Sequence, residues 1–175
     1  YGFPVFAMNW TDPKTGELTE GFKERGFLPE AFINLLAVLG WNDGTEQELY
    51  SMEELIENFS MDRVHAAGAK FDFEKAKWFN HEWIKKLPVT NYQARVKEIF
   101  ESKGIEIKDD IYFTKVLELV KERCPLLTDF FDQAVFFFVT PASYDEASVK
   151  PKWDSDKNDF FAELIKRYNR AADWN

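Results

Sequence analysis

Prolines and glycines divide this sequence into segments of helical length, and no other feature constrains the fold as strongly. The residues that separate these segments are Pro29, Gly40, Pro88, Gly104 and Pro125. Because proline interrupts a helix and glycine readily ends one, the intervening segments are expected to be separate helices. Few segments alternate polar and apolar residues as strands do, so we predict a mainly α-helical fold.

Two early helices have recognisable starts. Pro29 suits the first turn of a helix, and the apolar run that follows predicts a buried helix closed by Gly40 in the left-handed conformation. Ser51 and Glu54 have the spacing of a capping box, which predicts a helix ending near Phe59.

Three later helices also begin at candidate caps. Asp72 is expected to cap a helix that Pro88 stops, and Thr90 to cap one that Gly104 closes. Thr128 is suited to cap a further short helix.

The remaining segments are less regular. Residues 1–27, rich in turn-forming residues, predict a loop or short hairpin. The run Val135–Val139 fits a buried strand as well as a helix end, and both readings stay open. Residues 140–156 predict a loop or a short helical turn, with a last helix starting at Asp156 or Asn158.

Charge is distributed unevenly along the chain. The net charge of −9 argues against non-specific nucleic-acid binding by the chain as a whole. Residues 1–60 hold three basic and eleven acidic residues, residues 61–103 nine and six, and residues 104–175 ten and fourteen. The basic middle segment is therefore a candidate for nucleic-acid contact, although a solvated helix face gives the same pattern.

No motif for catalysis or metal binding is recognisable. The two histidines, His65 and His81, belong to no His-x-Gly-His or His-Glu-x-x-His arrangement, and no phosphate-binding glycine loop occurs. Cys124 is the single cysteine, which excludes an internal disulfide and a cysteine-rich metal site; we expect it to be a small buried residue. We therefore predict no catalytic residue and no metal in this chain.

Membrane association is not expected. The longest apolar stretch, Ala31–Leu39, is interrupted by Asn34 and is far shorter than the roughly 20 residues that cross a bilayer. The start of the chain has no signal-peptide pattern, so a cytoplasmic location is predicted.

Two ordered blocks of the sequence resemble the bacterial-type glutamyl-tRNA synthetases. The first, Gly21–Trp41, is similar to the block that follows the family's second nucleotide-binding motif. The second consists of Phe59–Val64 and Ala69–His81, in the same order and at the expected distance. Val120–Cys124 together with Phe136–Phe138 resembles, more weakly, the start of the family's helical anticodon-binding region.

This resemblance implies a domain organisation and a parent enzyme. It implies a stem-contact helical domain over residues 1–88, followed over residues 89–175 by the first part of a helical-bundle anticodon-binding domain, truncated at Asn175. The parent would be a cytoplasmic, ATP-dependent class I glutamate–tRNA ligase that uses Mg²⁺, with its adenylate-binding motifs before Tyr1. The chain itself is expected to need no cofactor, to form no glutamyl-adenylate and to bind tRNA for glutamate as a monomer, with no DNA or membrane partner.

The resemblance and the local charge together suggest tRNA contacts, because basic side chains position RNA phosphates and aromatic rings stack on unpaired bases. The candidates are Arg63, Lys70, Lys75, Lys77, Trp78, Lys85 and Lys86. The lysines also fit an ordinary solvated helix face, and Trp78 also fits a core position.

Two other readings are open to test. Composition alone also fits an acidic, aromatic-rich helical module that binds another protein and no RNA. A glutaminyl-specific relative would be expected to have a β-barrel anticodon region, which residues 90–170 do not indicate. The sequence does not show whether the parent enzyme charges only glutamate tRNA or also glutamine tRNA, because the residues that read the anticodon are expected after Asn175.

Overall fold

The computed structural model describes residues 5–65, 70–140, 143 and 145–170. The chain divides into two compact units, residues 1–139 and 140–175. Among its described residues, the first unit contains a hairpin, β1 and β2, and six α-helices, α1 to α6. They are β1 Trp10–Thr11, β2 Leu18–Thr19, α1 Pro29–Val38, α2 Met52–Asn58, α3 Phe73–Lys86, α4 Gln93–Ser102, α5 Asp110–Val120 and α6 Asp129–Ala134. The mainly α-helical prediction is confirmed.

The N-terminal segment forms the predicted hairpin. Trp10 pairs with Thr19 in an antiparallel register. The Asp12 carboxylate accepts the Lys14 N–H at 2.7 Å, and Gly16 adopts a φ of +72° that few other residues tolerate. Turn chemistry in the sequence therefore predicted this element correctly.

Several helix ends follow their predicted capping residues. Ser51 and Glu54 form both bonds of the capping box that begins α2. The Asp72 side chain accepts the N–H groups of Glu74 and Lys75 at the start of α3, which ends before Pro88. Gly104 has a φ of +81° after α4. These signals are local, which is why they could be read from the sequence.

Two capping predictions are wrong. Gly40 is not in the left-handed conformation, because α1 ends with Leu39 still right-handed and the chain continues to an isolated bridge between Trp41 and Val64. Thr90 does not cap α4; residues 89–91 form a single 3₁₀ turn, and Tyr92 occupies the position before the helix without a side-chain cap. Burial of Tyr92 fixes this turn in place of a capping bond.

Three further expectations need adjustment. Helix α1 is not buried on every side, since Ile33 and Leu36 are 38% and 44% exposed. Thr128 lies at the N-terminal boundary of α6, but its hydroxyl donates to the Arg25 carbonyl instead of capping the helix. The open choice for Val135–Val139 resolves to a helix end, with a 3₁₀ turn over residues 135–137.

The core of the first unit forms around α3, α4 and α5. Its largest cluster includes Tyr92, Phe100, Phe113 and Phe130, all with no exposed surface. Cys124 is fully buried in the same cluster, as predicted, and burial raises the pKa of its thiol to about 12.

Two buried asparagines bind the connecting loops to the helices. Asn34 of α1 donates to the Glu48 carbonyl at 2.8 Å and accepts the Tyr50 N–H and the Trp83 indole N–H. Asn80 of α3 binds backbone atoms of two loops, one before α1 and one before α6. The Leu28 N–H donates to its Oδ1 at 2.7 Å, while its Nδ2 donates to the carbonyls of Gly26 and Pro125.

The second unit contains α7, Glu146–Val149, a 3₁₀ turn over residues 150–152, and α8, Ser155–Arg170. Trp153 stacks on Phe161 of α8 with ring centroids 5.1 Å apart. The predicted irregular segment and last helix are confirmed, with α8 beginning one residue before Asp156. Within residues 5–65, 70–140 and 145–170, no helix has the length and apolar character needed to cross a membrane.

Candidate nucleic-acid interface

Helix α3 carries five of the seven predicted contact residues, and its packing decides where each one lies. The helix buries one face, consisting of Ala76, Phe79, Asn80, Trp83 and Ile84. Residues two positions apart on a helix point about 200° apart, so the predicted lysines cannot share one face. The structure instead separates them onto two sides of the buried face.

One side of α3 faces the loop of residues 42–50, and we call it the 42–50 side. Lys75 lies here, with its Nζ 2.6 Å from Glu48 Oε1. Lys86 lies further along the same side, with its Nζ 4.9 Å from the centroid of the Trp83 ring. Through Asn34, Trp83 is tied to the same loop.

The opposite side faces residues 121–125, and we call it the 121–125 side. The His81 ring Nε2 lies 3.1 Å from the Glu122 carbonyl, and Asn80 donates to the Pro125 carbonyl at 2.6 Å. Lys77 lies on this side, paired with Glu74 one turn earlier at 2.8 Å. Such an exposed pair within one helix contributes only about 0.3–0.5 kcal/mol, so Lys77 can exchange its partner easily.

The ridge between the two sides carries Trp78 and Lys85. Trp78 is 42% exposed and packs edge-on against buried Phe79, with ring centroids 5.0 Å apart. The indole is therefore available at the surface, and the alternative of a core position is excluded. Lys85 is paired with Glu82 of the same helix.

The other two predicted residues lie away from α3. Arg63 is exposed beside the 42–50 loop, where the Thr45 hydroxyl lowers the pKa of Asp43 and the Arg63 charge adds to that effect. Lys70 is exposed just before Asp72. The structure therefore does not gather the predicted residues into one patch.

Sequence reasoning missed basic residues that lie near α3 through tertiary contacts. Arg25 places its guanidinium 5.7 Å from the centroid of the Phe73 ring, which Lys77 also approaches at 5.6 Å. Arg123 is exposed in the 3₁₀ turn that His81 contacts. Both lie outside the basic segment 61–103, so the charge count along the chain could not reveal them.

A cleft of about 370 Å³ lies elsewhere on the first unit. Its walls are largely apolar and include Phe22, Phe27 and Leu28. At its rim, Arg95 donates to the carbonyls of Phe27 and Lys23, and burial lowers the pKa of this guanidinium. Arg95 thus connects α4 to the turn before α1 through two hydrogen bonds to the backbone.

In the part of the chain that the structure describes, no three histidine, cysteine, aspartate or glutamate side chains are grouped as a metal site requires.

Comparison with protein families gives two overlapping matches. Residues 72–175 match the anticodon binding domain family. Residues 14–78 match the catalytic domain of the class I tRNA synthetases for E and Q. The two matches overlap over residues 72–78, at the start of α3.

Individual relatives agree with these families. The chain is 47% identical to the glutamate–tRNA ligase of Phocaeicola vulgatus and 46% identical to that of Flavobacterium psychrophilum, over 93% and 99% of its own length. These alignments cover 32% and 34% of the two relatives, so the chain spans about a third of the length of the curated relatives it matches.

Solved structures show the same relationship. A crystal structure of a glutamate tRNA ligase from Elizabethkingia meningosepticum, in complex with its amino acid, superimposes with a TM-score of 0.86. It is 37% identical and covers 98% of this chain and 34% of its own. A glutamate–tRNA synthetase from Elizabethkingia anophelis gives a TM-score of 0.76 at 40% identity, covering 86% of this chain and 30% of its own. The chain therefore belongs, through residues 72–175, to the anticodon binding domain family, and over nearly its whole length it is similar to one part of the glutamate–tRNA ligases named above.

Proposed function

We propose that this chain is a tRNA-binding portion of a glutamate–tRNA ligase. The observation that carries the proposal is the match of residues 72–175 to the anticodon binding domain, together with the match of residues 14–78 to the catalytic domain. The relatives named above are glutamate–tRNA ligases, and the chain is similar to them over nearly its whole length. The partner would accordingly be tRNA for glutamate.

The parent enzyme would attach glutamate to tRNA at the expense of ATP with Mg²⁺, in the cytoplasm. Within it, residues 1–88 would form the stem-contact region and residues 89–175 the first part of the anticodon-binding region. We expect the isolated 175-residue chain to be a monomer and to support no ATP–pyrophosphate exchange with glutamate. Measurable exchange would contradict this division of roles.

Charge and rigidity support RNA contact at the predicted residues. RNA phosphates bind to lysine and arginine side chains that a rigid element holds in place. Helix α3 is such an element, because Asn80 and Trp83 fasten its buried face to two loops. Arg63, Lys70, Lys75, Lys77, Trp78, Lys85 and Lys86 are the candidates for contact.

A salt titration tests the proposal. The dissociation constant of the chain for labelled glutamate tRNA is measured by fluorescence anisotropy between 50 and 200 mM KCl. If about three phosphates are neutralised, the affinity should fall about 30-fold over this range, since each contributes about 0.7–0.9 to the slope of log K against log salt. Absence of binding, or binding independent of salt, would refute it.

An apolar surface favours a second candidate function, a protein-interaction module without RNA binding. Met52, Ile56, Phe59 and Met61 on and after α2 are 47–75% exposed. Adjacent exposed apolar side chains often mark protein interfaces. This alternative predicts no salt-dependent binding of tRNA in the titration above.

A further inference from the structure

We propose that an apolar groove between α1 and α2 binds a basic amphipathic helix of a protein partner. The groove is bordered by Ile33 and Leu36 of α1 and by Met52 and Ile56 of α2, and we call it the α1–α2 groove. This inference is independent of tRNA binding, since it concerns a different surface and a different class of partner. Three features carry it: the exposed apolar side chains, the rigid floor beneath them, and the charge of the two helices.

The apolar side chains along the groove form one continuous strip. Ile33 and Leu36 are 38% and 44% exposed, and Met52 and Ile56 are 47% and 75% exposed. The two members of each pair are three or four residues apart, so they lie on the same face of their helix. Ile33 and Met52 line the same cleft of about 210 Å³, which joins the two faces into a single surface. Contiguous exposed apolar surface of this kind marks a binding site.

The floor of the groove is already formed. Tyr50, Leu55 and Trp83 line the cleft from below and are 1%, 8% and 4% exposed. Asn34 fixes two of them, because its Oδ1 accepts the Tyr50 N–H at 3.0 Å and the Trp83 indole N–H at 3.1 Å. A preformed groove spares a ligand the entropic cost of ordering it.

The length of the groove matches a short helix. Helix α2 has seven residues, which correspond to about 10 Å, or about two helical turns. Helices that dock in such grooves insert apolar side chains spaced three, four and seven residues apart. The α1–α2 groove therefore accommodates two turns of an amphipathic helix with its apolar face inward.

The charge of the two helices specifies a basic partner. Helices α1 and α2 contain four glutamates and no lysine, arginine or histidine. Glu54 is engaged in the capping box, whereas Glu53 and Glu57 are exposed and form none of the ion pairs found among the described residues. Glu30 lines the cleft, and its buried Oε2 accepts no hydrogen bond from the described residues. Lys86, whose Nζ lies 4.9 Å from the Trp83 ring centroid, offsets only part of this charge.

These carboxylates also argue against two other occupants. A second copy of the chain, bound face to face, would bring the same glutamates together and be repelled. A nucleic-acid backbone would be repelled by the same charge. Lysine and arginine side chains flanking an apolar stripe would instead pair with Glu53, Glu57 and Glu30.

A designed peptide probes the groove directly. The probe is a labelled peptide of about 14 residues, with leucines on one helical face and lysines on the other, titrated with the 175-residue chain by fluorescence anisotropy. Two control peptides carry glutamate in place of lysine, or the same composition in shuffled order. We expect the probe to bind at least about tenfold more tightly than either control, and its affinity to fall as salt is raised.

A pair of apolar substitutions locates the site. Met52→Gln with Ile56→Gln should raise the Kd of the probe about 10–30-fold, because two exposed anchors are lost. Ile111→Gln with Leu119→Gln is the matched control, since these side chains are 72% and 68% exposed on α5, and it should stay within about twofold of the parent chain.

A pair of charge substitutions tests the specificity for a basic partner. Glu53→Gln with Glu57→Gln should raise Kd about 3–10-fold and reduce its dependence on salt. Glu98→Gln with Glu101→Gln removes two exposed carboxylates from α4 and should have less than about a twofold effect. Thermal melts confirm that all variants fold.

Three results would overturn the inference. The first is equal binding of the probe and the shuffled peptide, and the second is an equal loss in a groove pair and its control pair. The third is a concentration-dependent dimer in analytical ultracentrifugation that Met52→Gln with Ile56→Gln abolishes, because the groove would then belong to a second copy of the chain. Binding of glutamate tRNA by the groove variants is expected to equal that of the parent chain, and its loss would assign this surface to RNA instead.

Discussion

Replacement of Asn80 by alanine should destabilise the first unit more than any surface change. Asn80 is fully buried, and its side chain forms three hydrogen bonds to backbone atoms. Alanine leaves the Leu28 N–H and the Pro125 carbonyl without this partner. The Gly26 carbonyl keeps a second bond, at 2.9 Å from the Leu127 N–H.

The expected loss follows from the two abandoned backbone groups. A buried donor or acceptor without a partner costs about 1–3 kcal/mol, so two such groups give about 2–6 kcal/mol, with about 4 kcal/mol as the central value. Since domains of this size are stable by about 5–15 kcal/mol, the variant should be close to unfolding.

Urea denaturation followed by far-UV circular dichroism measures this difference. Asn58→Ala is the matched control, because Asn58 is exposed at the end of α2 and its loss should change the free energy of unfolding by less than about 0.5 kcal/mol. A loss below about 1 kcal/mol for Asn80→Ala, or one equal to that of the control, would refute the reasoning from unsatisfied backbone groups.

Three further predictions concern local features of the first unit. Gly26→Ala should lower the free energy of unfolding by about 2–4 kcal/mol, because the φ of Gly26 is +92° and an added Cβ would lie 2.8 Å from the Thr128 nitrogen. Gly16→Ala, at a φ of +72° in open space, should lower it by about 1–2 kcal/mol. Equal losses for the two variants in urea denaturation would contradict this prediction. Cys124, whose thiol pKa burial raises to about 12, should react with a thiol reagent at about pH 8 only after unfolding, and modification of the native protein at the rate of a free thiol would argue against its burial. Ser51→Ala should lower the free energy of unfolding by about 1 kcal/mol, since its hydroxyl accepts the Glu54 N–H; an unchanged melting temperature would count against the capping box.

The sequence predicted the parts of the fold that depend on neighbouring residues. The capping box at Ser51 and the Asp72 cap are satisfied within three residues, and both formed as expected. The capping predictions for Gly40 and Thr90 were wrong because contacts between residues distant in sequence determine the backbone there. An isolated bridge between Trp41 and Val64 follows Gly40, and the burial of Tyr92 fixes the turn at Thr90. Local signals carry no information about such contacts.

The candidate site was predictable as a segment but not as a surface. The basic excess of residues 61–103 directed attention to α3, yet Lys75 and Lys77 lie on opposite sides of that helix. The loops that lie along the two sides, residues 42–50 and 121–125, are brought next to α3 only by the tertiary fold. Arg123 could not be identified from its own neighbourhood in sequence.

Hydroxyl-radical footprinting with and without saturating glutamate tRNA tests the central claim most directly, because it reports the solvent access of individual side chains. Trp78, on the ridge of α3, should be oxidised less in the presence of tRNA, while Met52 and Met61, exposed on the α2 side, should be oxidised at the same rate as in the free chain. Unchanged oxidation of Trp78, or protection confined to Met52 and Met61, would contradict the account.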